Sequence, residues 1–321
     1  MKLAVLFPGQ GSQKVGMGLD LYEQSEAAKE IFTTVNSIIG KNLIDVFLKG
    51  PEEELNQTIN TQPSIVAVSV ALTMLLSNEL KSKNISFKAM GCAGHSLGEF
   101  TALWYANLIT FEELIKTVSI RGQLMQTAPE GGMAAVLNLP QEKLEQLIKE
   151  NPTCKVIIAN HNSPSQFVIS GNKSGIQLLA EKIKELKGKA IILPVSGAFH
   201  SELMTEPAKK FIFELNKLAI LSKEKADIPV YQNVDGKAST DPSIINEKTK
   251  NQMTSSVLWT QTIINLVNNG VSAVSEIGPG KILTGLAKKI NPSLDCYNIF
   301  DLQSLKEFIS LYEHKLLSRK L

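Results

Sequence analysis

Long apolar runs and cysteine-based sites are both missing from this sequence. The longest apolar run covers residues 65–76, which is 12 residues with two hydroxyl side chains among them. A membrane-spanning helix needs about 20 apolar residues, so we predict a buried helix and no membrane association. The three cysteines, Cys92, Cys154 and Cys296, lie far apart and lack the spacing of metal ligands. We expect free thiols, no metal site and a cytoplasmic protein.

A strong excess of charge is also absent. The chain has 33 Lys and Arg residues against 31 Asp and Glu residues, a formal net charge of +2. Such a chain has no strong general attraction for nucleic acid or for an anionic membrane, so neither is expected as a partner. With 43% hydrophobic residues among 321, it can bury a sizeable core in one large domain or two smaller ones. We expect a monomer.

Fingerprints of cofactor binding are missing as well. The segment F-P-G-Q-G-S-Q at residues 7–13 follows a strand-like run and looks like a phosphate loop, but it lacks G-K-[ST]. Lys14 stands where a dinucleotide fingerprint would have its third glycine. Because no flavin or nicotinamide motif occurs either, no cofactor is expected. The loop remains a candidate ligand site, since backbone N–H groups after a strand can point at a ligand.

The sequence does contain a G-x-S-x-G motif at residues 94–98, with Ser96 at its centre. A short apolar run, residues 87–93, precedes it, and apolar residues at helical spacing follow over 97–107. This order predicts a serine nucleophile on a tight turn from strand to helix. The flanking glycines permit the strained backbone, and the next helix directs its first N–H groups to the place where an oxyanion would form.

A single arginine interrupts the apolar face of the next predicted helix, residues 111–127. Arg121 lies seven residues after Leu114 and four before Met125, on that same face. An arginine is rarely buried without a partner. One interpretation is an internal ion pair with Glu99, which the pattern alone favours. The other is a clamp for a substrate carboxylate, to which the bidentate guanidinium is suited.

A serine nucleophile needs a general base, and the sequence offers four histidines. His95 adjoins the serine but is expected to pack on the other side of the turn, and His314 lies on a charged final helix. His161 and His200 both follow the serine in the order typical of α/β hydrolases. The residues leave these two nearly equal, with His200 slightly favoured by its place after a predicted strand. No acidic residue stands out as a third triad member.

Alternating strands and helices predict an α/β fold. We expect a hydrolase-like, mostly parallel sheet covered by helices, formed by residues 1–129 and 198–321. Residues 130–197 have the order β-α-β-β-α-β, which predicts an inserted ferredoxin-like small subdomain.

Four segments carry more detailed predictions. One continuous helix is predicted over residues 19–40, and a second helix is predicted to begin after Pro63. A turn is predicted over residues 160–165, and residues 243–269 are predicted to be largely helical.

Motifs along nearly the whole chain, in order and spacing, resemble the malonyl-CoA:acyl carrier protein transacylase family. They are F-P-G-Q-G-S-Q at 7–13, T-Q-P at 61–63, G-H-S-L-G-E at 94–99, R-G-x-L-M at 121–125, N-S-P-S-Q-x-V-I-S-G at 162–171, G-A-F-H-S at 197–201, Q-M-T-S-S-V-x-W at 252–259 and E-I-G-P-G-K-x-L at 276–283. An inserted ferredoxin-like unit is also a feature of that family.

The resemblance implies a role for each matched position. Ser96 resembles the acyl-accepting nucleophile, and His200 resembles its base. The backbone N–H groups of Gln10 and Leu97 resemble the oxyanion hole. Arg121 matches the arginine that holds the malonyl carboxylate, which favours the clamp over the ion pair.

Two more positions take roles from the same resemblance. Gln252 matches the residue whose main-chain carbonyl orients the histidine, which implies a Ser–His dyad rather than a triad. Phe199 matches malonyl-selective members, in which a phenyl ring fills the space that an α-methyl group would need.

The implied activity is ping-pong transfer of a malonyl group from malonyl-CoA to the phosphopantetheine thiol of acyl carrier protein, through a malonyl group carried on Ser96. Fatty acid synthesis is the expected destination, and a polyketide synthase is the alternative. An acyl hydrolase or thioesterase would have little need of Arg121, and a non-catalytic docking module would not need Ser96 and His200. Coenzyme A and phosphopantetheine belong to the substrates, so the protein itself needs no cofactor.

Overall fold

The structure is a computed structural model that describes residues 2–218 and 223–317. Strands and helices are numbered in chain order. The larger sheet consists of β1 (Leu3–Phe7), β2 (Gly91–Gly94), β7 (Val230–Tyr231), β8 (Ala238–Ser239), β9 (Ala273–Ile277) and β10 (Asp295–Ile299). Their spatial order is β10-β9-β1-β2-β7-β8, and every neighbouring pair is parallel except β7 with β8.

Helices cover both faces of this sheet. They are α1 (Leu19–Gln24), α2 (Glu26–Ile39), α3 (Leu43–Lys49), α4 (Glu52–Leu55), α5 (Thr58–Ser82), α6 (Gly98–Tyr105), α7 (Phe111–Gln126), α10 (Thr205–Leu215), α11 (Pro242–Asn251), α12 (Trp259–Asn268), α13 (Ile282–Ile290) and α14 (Leu302–Leu317). Because successive side chains of a strand point to opposite faces, Val5 belongs to one apolar cluster and Leu6 to the other. All five residues of β1 are therefore buried.

The register of the two central strands positions the loops that follow them. Phe7 lies opposite Gly94 in the parallel pair of β1 and β2, so both strands end at the same edge of the sheet. The Gly-rich loop after β1 and the serine turn after β2 are thereby brought together. In an open parallel sheet this carboxyl edge is where ligands bind.

Helix α5 is the long apolar helix of the core. By length and composition it could cross a membrane, yet 83% of its apolar window is buried inside the protein. It begins at Thr58, five residues before Pro63, so the predicted start after Pro63 was wrong. Tertiary contacts hold the extra turn, since the Thr58 N–H donates to Gln126 Oε1 at 2.7 Å.

The second sheet is antiparallel and has four strands. It contains β3 (Gly132–Leu137), β4 (Val156–Ser163), β5 (Gln166–Gly171) and β6 (Lys189–Ile192) in the order β4-β5-β3-β6, with helices α8 (Gln141–Glu150) and α9 (Lys173–Glu185). Its residues form a separate apolar cluster. The α/β fold with a mostly parallel sheet and a small β-α-β-β-α-β unit is therefore confirmed. The boundaries 1–129, 130–197 and 198–321 stay predictions.

Two further detailed predictions were wrong. Residues 19–40 form two helices because Ser25 is extended and its side chain caps the second of them, accepting from the Ala28 N–H at 3.2 Å. Residues 160–163 belong to β4 rather than to a turn, because they pair with residues 166–168 of β5, and Asn160 also pairs with Val257. The prediction that residues 243–269 are largely helical is confirmed, because α11 and α12 cover most of them, separated by a short 3-10 turn at residues 252–254 and an extended segment.

Candidate active site

Ser96 occupies a strained turn between β2 and α6. Its φ is 49°, in the left-handed region, which costs a residue with a side chain about 1–3 kcal/mol. The glycines on either side allow tight packing here. A Cβ on Gly98 would lie 2.1 Å from the Phe7 carbonyl oxygen, and one on Gly94 would lie 1.9 Å from the Gly98 carbonyl. The turn is therefore pressed against the end of β1, as the G-x-S-x-G pattern predicts.

Replacing Gly98 with alanine is expected to lower the free energy of unfolding by at least about 2 kcal/mol, because the new methyl group meets backbone that cannot move aside. Chemical denaturation of the variant measures this change. Gly285→Ala is the matched control, since nothing lies within 4 Å of a Cβ there. That helical glycine should tolerate alanine or gain about 0.5–1 kcal/mol. An equally stable Gly98→Ala variant would contradict the close approach.

His200 contacts the serine hydroxyl. The distance from Ser96 Oγ to His200 Nε2 is 2.7 Å. On the other side of the ring, Nδ1 lies 3.0 Å from the Gln252 main-chain oxygen and 3.1 Å from that of Ser255. Carbonyl oxygens only accept hydrogen bonds, so Nδ1 carries the proton and Nε2 is free to accept from the serine. Main-chain carbonyls therefore occupy the position that an aspartate holds in a triad.

The environment keeps this imidazole neutral. Burial, together with the Arg121 cation, lowers the pKa of His200 from 6.5 to about 3, although the two carbonyl hydrogen bonds act in the opposite direction. The side chain is only 4% exposed. His200 is therefore an unprotonated base at neutral pH.

Arg121 projects from α7 into the same site and is 1% exposed. Its Nη2 donates to Ser96 Oγ at 3.0 Å and to Gln252 Oε1 at 3.1 Å, while its buried Nε has no hydrogen-bond partner in the part of the chain that the structure describes. Burial lowers the pKa of Arg121 to about 10, so the guanidinium remains charged at neutral pH. A buried cation beside the nucleophile can hold an anionic group of a substrate.

The ion pair with Glu99, which the sequence pattern alone favours, is not formed. Among residues 2–218 and 223–317, no carboxylate oxygen lies within 4.0 Å of the Arg121 guanidinium. Glu99 instead accepts from the Asn233 N–H at 2.6 Å. Burial raises the pKa of Glu99 to about 7, against the opposing effects of that hydrogen bond and of Arg121. A carboxyl group with a pKa raised in this way is a weaker countercharge for the arginine than an ordinary glutamate.

Two backbone N–H groups are available near the serine. Within the described part of the chain, those of Gln10 and Leu97 donate to no main-chain or side-chain acceptor. The loop carrying Gln10 packs closely on the serine turn, because a Cβ on Gly9 would lie 2.4 Å from the His95 carbonyl oxygen. Leu97 follows the nucleophile directly, at the start of α6. Both groups therefore fit the oxyanion hole that the family resemblance implies, which stays a prediction.

A cavity of about 300 Å³ lies over the nucleophile, between the two sheets. Gln10, Ser96 and His200 line it on the side of the large sheet, and Val168 and Leu193 line it on the side of the small sheet. This volume is at the lower end of the range for small-molecule sites. The inserted unit therefore forms one wall of the site.

Phe199 is another wall of this cavity and is 5% exposed. Its ring fits beside Gly197, where a Cβ would lie 2.7 Å from the ring edge. A glycine at that position therefore leaves room for a large aromatic side chain next to the base.

The remaining histidines do not contact the serine hydroxyl. His161 lies on β4, with its ring 5.9 Å from that of Phe167. His95 lines the cavity, contrary to the expectation that it would face away, and its Nε2 lies 2.8 Å from Asn162 Oδ1. Of the two histidines left open by the residue pattern, His200 is the one beside Ser96.

Sequence reasoning missed Asn233, whose side chain holds the backbone of the serine turn. It bonds to the backbone of Ser96 and Gly94 and follows β7, more than a hundred residues away in sequence. No local motif marks it. Among the described residues, no group of three or more His, Cys, Asp or Glu side chains could hold a metal ion.

This fold, with a serine on a strand-to-helix turn beside a buried histidine, is typical of α/β enzymes that form an acyl ester on serine. The family model of the acyl transferase domain matches residues 5–293. Malonyl CoA-acyl carrier protein transacylase of Bacillus subtilis is 40% identical over 320 residues, covering 95% of this chain and 98% of the relative. The chain belongs to the malonyl-CoA:acyl carrier protein transacylase family.

Solved structures agree with this assignment. Malonyl CoA-acyl carrier protein transacylase from Clostridium perfringens gives a TM-score of 0.89 at 36% identity, covering 99% of this chain and 100% of that one. A malonyl-transacylase in complex with its type II PKS acyl-carrier protein gives a TM-score of 0.88 at 34% identity, covering 95% of this chain and 98% of that one.

Proposed function

We propose that this protein transfers malonyl groups from malonyl-CoA to the phosphopantetheine thiol of acyl carrier protein, for fatty acid synthesis. The observation that carries the proposal is the buried Arg121 guanidinium, which lies 3.0 Å from Ser96 Oγ and has no carboxylate partner among the described residues. A thioester that carries a second, free carboxylate matches this pairing of nucleophile and cation.

The first half-reaction loads the enzyme. His200 Nε2 accepts the Ser96 hydroxyl proton as Oγ attacks the thioester carbonyl, and the N–H groups of Gln10 and Leu97 stabilise the oxyanion. The carbon–sulfur bond then breaks, and His200 returns the proton to the departing sulfur. Coenzyme A leaves as the free thiol, and the malonyl group remains as an ester on Ser96.

The second half-reaction reverses these steps on a different thiol. His200 accepts the phosphopantetheine thiol proton, and the sulfur attacks the Ser96 ester. The carbon–oxygen bond breaks and Ser96 Oγ regains its proton from His200. Throughout, Arg121 holds the distal carboxylate, which fixes the carbonyl carbon beside each incoming nucleophile. Neither step needs a metal or a cofactor of the protein's own.

Intact-mass spectrometry tests the proposal directly. With malonyl-CoA alone, the protein is expected to gain one malonyl group. Adding phosphopantetheinylated acyl carrier protein should remove that group and place it on the carrier. Absence of the first adduct, or an adduct that never moves to the carrier, would contradict transfer.

The same experiment separates the alternatives. A hydrolase would release malonate without any carrier protein. Arg121 beside the nucleophile instead favours transfer, because it can hold the carboxylate of the malonyl group on the enzyme. Delivery to a polyketide synthase is the second candidate, and the likeness to a transacylase solved with a type II PKS carrier gives it support. Loading rates for carriers of the two types distinguish it. The cytoplasmic location and the monomeric state remain predictions.

Replacing Phe199 with alanine is expected to raise the ratio of methylmalonyl to malonyl loading by about 10-fold or more, because a methyl-sized difference in a pocket is worth about 1–3 kcal/mol. Intact mass after incubation with an equimolar mixture of the two CoA esters measures the ratio. Phe213→Ala is the matched control, since Phe213 is 65% exposed. An unchanged ratio in Phe199→Ala would exclude the ring from selectivity.

A further inference from the structure

Asn233 connects three parts of the serine turn. Its Oδ1 accepts from the Ser96 N–H at 2.6 Å, and its Nδ2 donates to the Gly94 carbonyl at 2.7 Å. Its own N–H donates to Glu99 Oε2 at 2.6 Å. The residue is fully buried, so water does not compete for these hydrogen bonds.

These contacts fix the peptide groups around the nucleophile. Asn233 holds the N–H side of Ser96, while Gln252 Nε2 donates to the Ser96 carbonyl at 2.9 Å. The Ser96 carbonyl and the Leu97 N–H belong to the same peptide group, so the direction of that N–H is set as well. The left-handed conformation of Ser96 persists only where the surroundings impose it, and the Asn233 amide does so on the amino side.

The Ser96 N–H is also removed from the cavity by this contact. With that donor bonded to Asn233, the next amide along the chain, Leu97 N–H, is the one left to face a developing oxyanion. One side chain thereby fixes both the direction of the hydroxyl and the choice of backbone donor.

We propose that Asn233 is a positioning residue, whose side-chain amide holds Ser96 in the reactive orientation without touching the substrate. The inference rests on the proposed function, because it takes Ser96 as the nucleophile. It predicts that the residue governs the rate of the acylation step and not the binding of malonyl-CoA. A displacement of about 1 Å at a reacting atom reduces rates by about 100-fold.

Single-turnover acylation by malonyl-CoA, followed by quenched-flow intact mass, tests this role. Asn233→Ala is expected to lower the maximal acylation rate by about 10- to 100-fold, with the half-saturating malonyl-CoA concentration within about 2-fold of wild type. Asn233→Asp keeps the size and the acceptor for the Ser96 N–H but loses the donor to Gly94. It should lower the rate by about 10-fold.

Asn36→Ala is the matched control. The Asn36 side chain also accepts from backbone N–H groups, those of Leu43 and Ile44, but it lies on α2 and holds the start of α3 rather than the serine turn. Its loss should reduce thermal stability and leave the acylation rate unchanged. If the purpose of Asn233 were stability alone, its variants would behave like Asn36→Ala.

These experiments distinguish failure of the positioning role of Asn233 from failure of the proposed malonyl transfer. If wild-type protein forms no malonyl adduct, the function fails. If the wild type does and both Asn233 variants acylate at its rate, the positioning role fails. A rise in the half-saturating concentration with an unchanged maximal rate, or loss of folding in both variants, would also overturn it.

Discussion

Replacing Arg121 with alanine is expected to reduce malonyl transfer by roughly 30- to 5,000-fold, while acetyl transfer changes by less than about 10-fold. The range for malonyl transfer follows from the cost of removing one partner of a buried charge pair, which is about 2–5 kcal/mol. Each step of about 1.36 kcal/mol corresponds to a factor of ten in rate. Acetyl-CoA has no distal carboxylate, so the guanidinium has no charge of the substrate to hold. Steady-state transfer from each CoA ester to carrier protein measures both values.

The pH dependence of acetyl transfer is a second measurement, because Arg121 also affects the pKa of His200. The Arg121 cation is one cause of the lowered pKa of His200, with burial the larger cause and His95 acting in the same direction. Removing the cation raises that pKa toward 6.5. The acid limb of acetyl transfer should therefore move to higher pH in Arg121→Ala, although the maximal acetyl rate is little changed.

Lys116→Ala is the matched control for charge, because Lys116 lies on the same helix but is exposed. It should change neither substrate preference nor the acid limb. Equal losses of malonyl and acetyl transfer in Arg121→Ala, in a variant that folds, would show that the arginine does not select the carboxylate.

The sequence predicts those parts of the site that depend on neighbouring residues. The strand, the flanking glycines and the helix around Ser96 are local, and the resulting turn has the left-handed φ that the motif requires. Arg121 is recognisable as an anomaly because helical periodicity places it on a buried face. Its hydrogen bonds to Ser96 and Gln252 could not be deduced, because other elements bring those two residues to it.

The parts that depend on distant residues could not be derived from the residues alone. His161 and His200 satisfy the same order along the chain, and only the folded chain separates them, since His161 lies on β4 and His200 contacts Ser96. Gln252 contacts His200 through its main-chain carbonyl, which any residue possesses, so this contact gives no signal in the sequence. Asn233 has no motif at all. Each of these contacts spans at least 50 residues.

The fold shows the same difference between features set by neighbouring residues and features set by distant contacts. Alternation of strands and helices predicts the parallel sheet and the β-α-β-β-α-β unit, because each element has its own periodicity. The start of α5 was misplaced because proline signals a local break, whereas contacts from α7 hold the turn before it. The end of β4 was misplaced because Asn, Ser and Pro indicate a turn, whereas pairing with β5 continues as far as Ser163.

Removing either member of the Ser96–His200 pair is expected to eliminate most of the activity. Ser96→Ala should form no malonyl adduct by intact mass, since no hydroxyl remains to accept the group. His200→Ala should acylate about 10²- to 10⁴-fold more slowly, the usual contribution of a general base. The double variant should be no slower than Ser96→Ala, because the two side chains act as a unit. His314→Ala, on the exposed face of α14, is the matched control.

The pH dependence of wild-type acylation identifies His200 as the base. Its pKa of about 3 in the folded protein keeps it neutral, so the rate should stay level as the pH falls from 8 to about 5. Folding stability behaves differently, because the unfolded chain protonates this histidine near 6.5 and the folded chain does not. The free energy of unfolding therefore decreases as the pH falls below 6.5. His200→Ala lacks that contribution and should lose less stability in acid. Circular dichroism at each pH separates the two effects. A wild-type rate that falls with a midpoint near 6.5, while the protein stays folded, would show that the imidazole is solvated rather than buried beside Arg121.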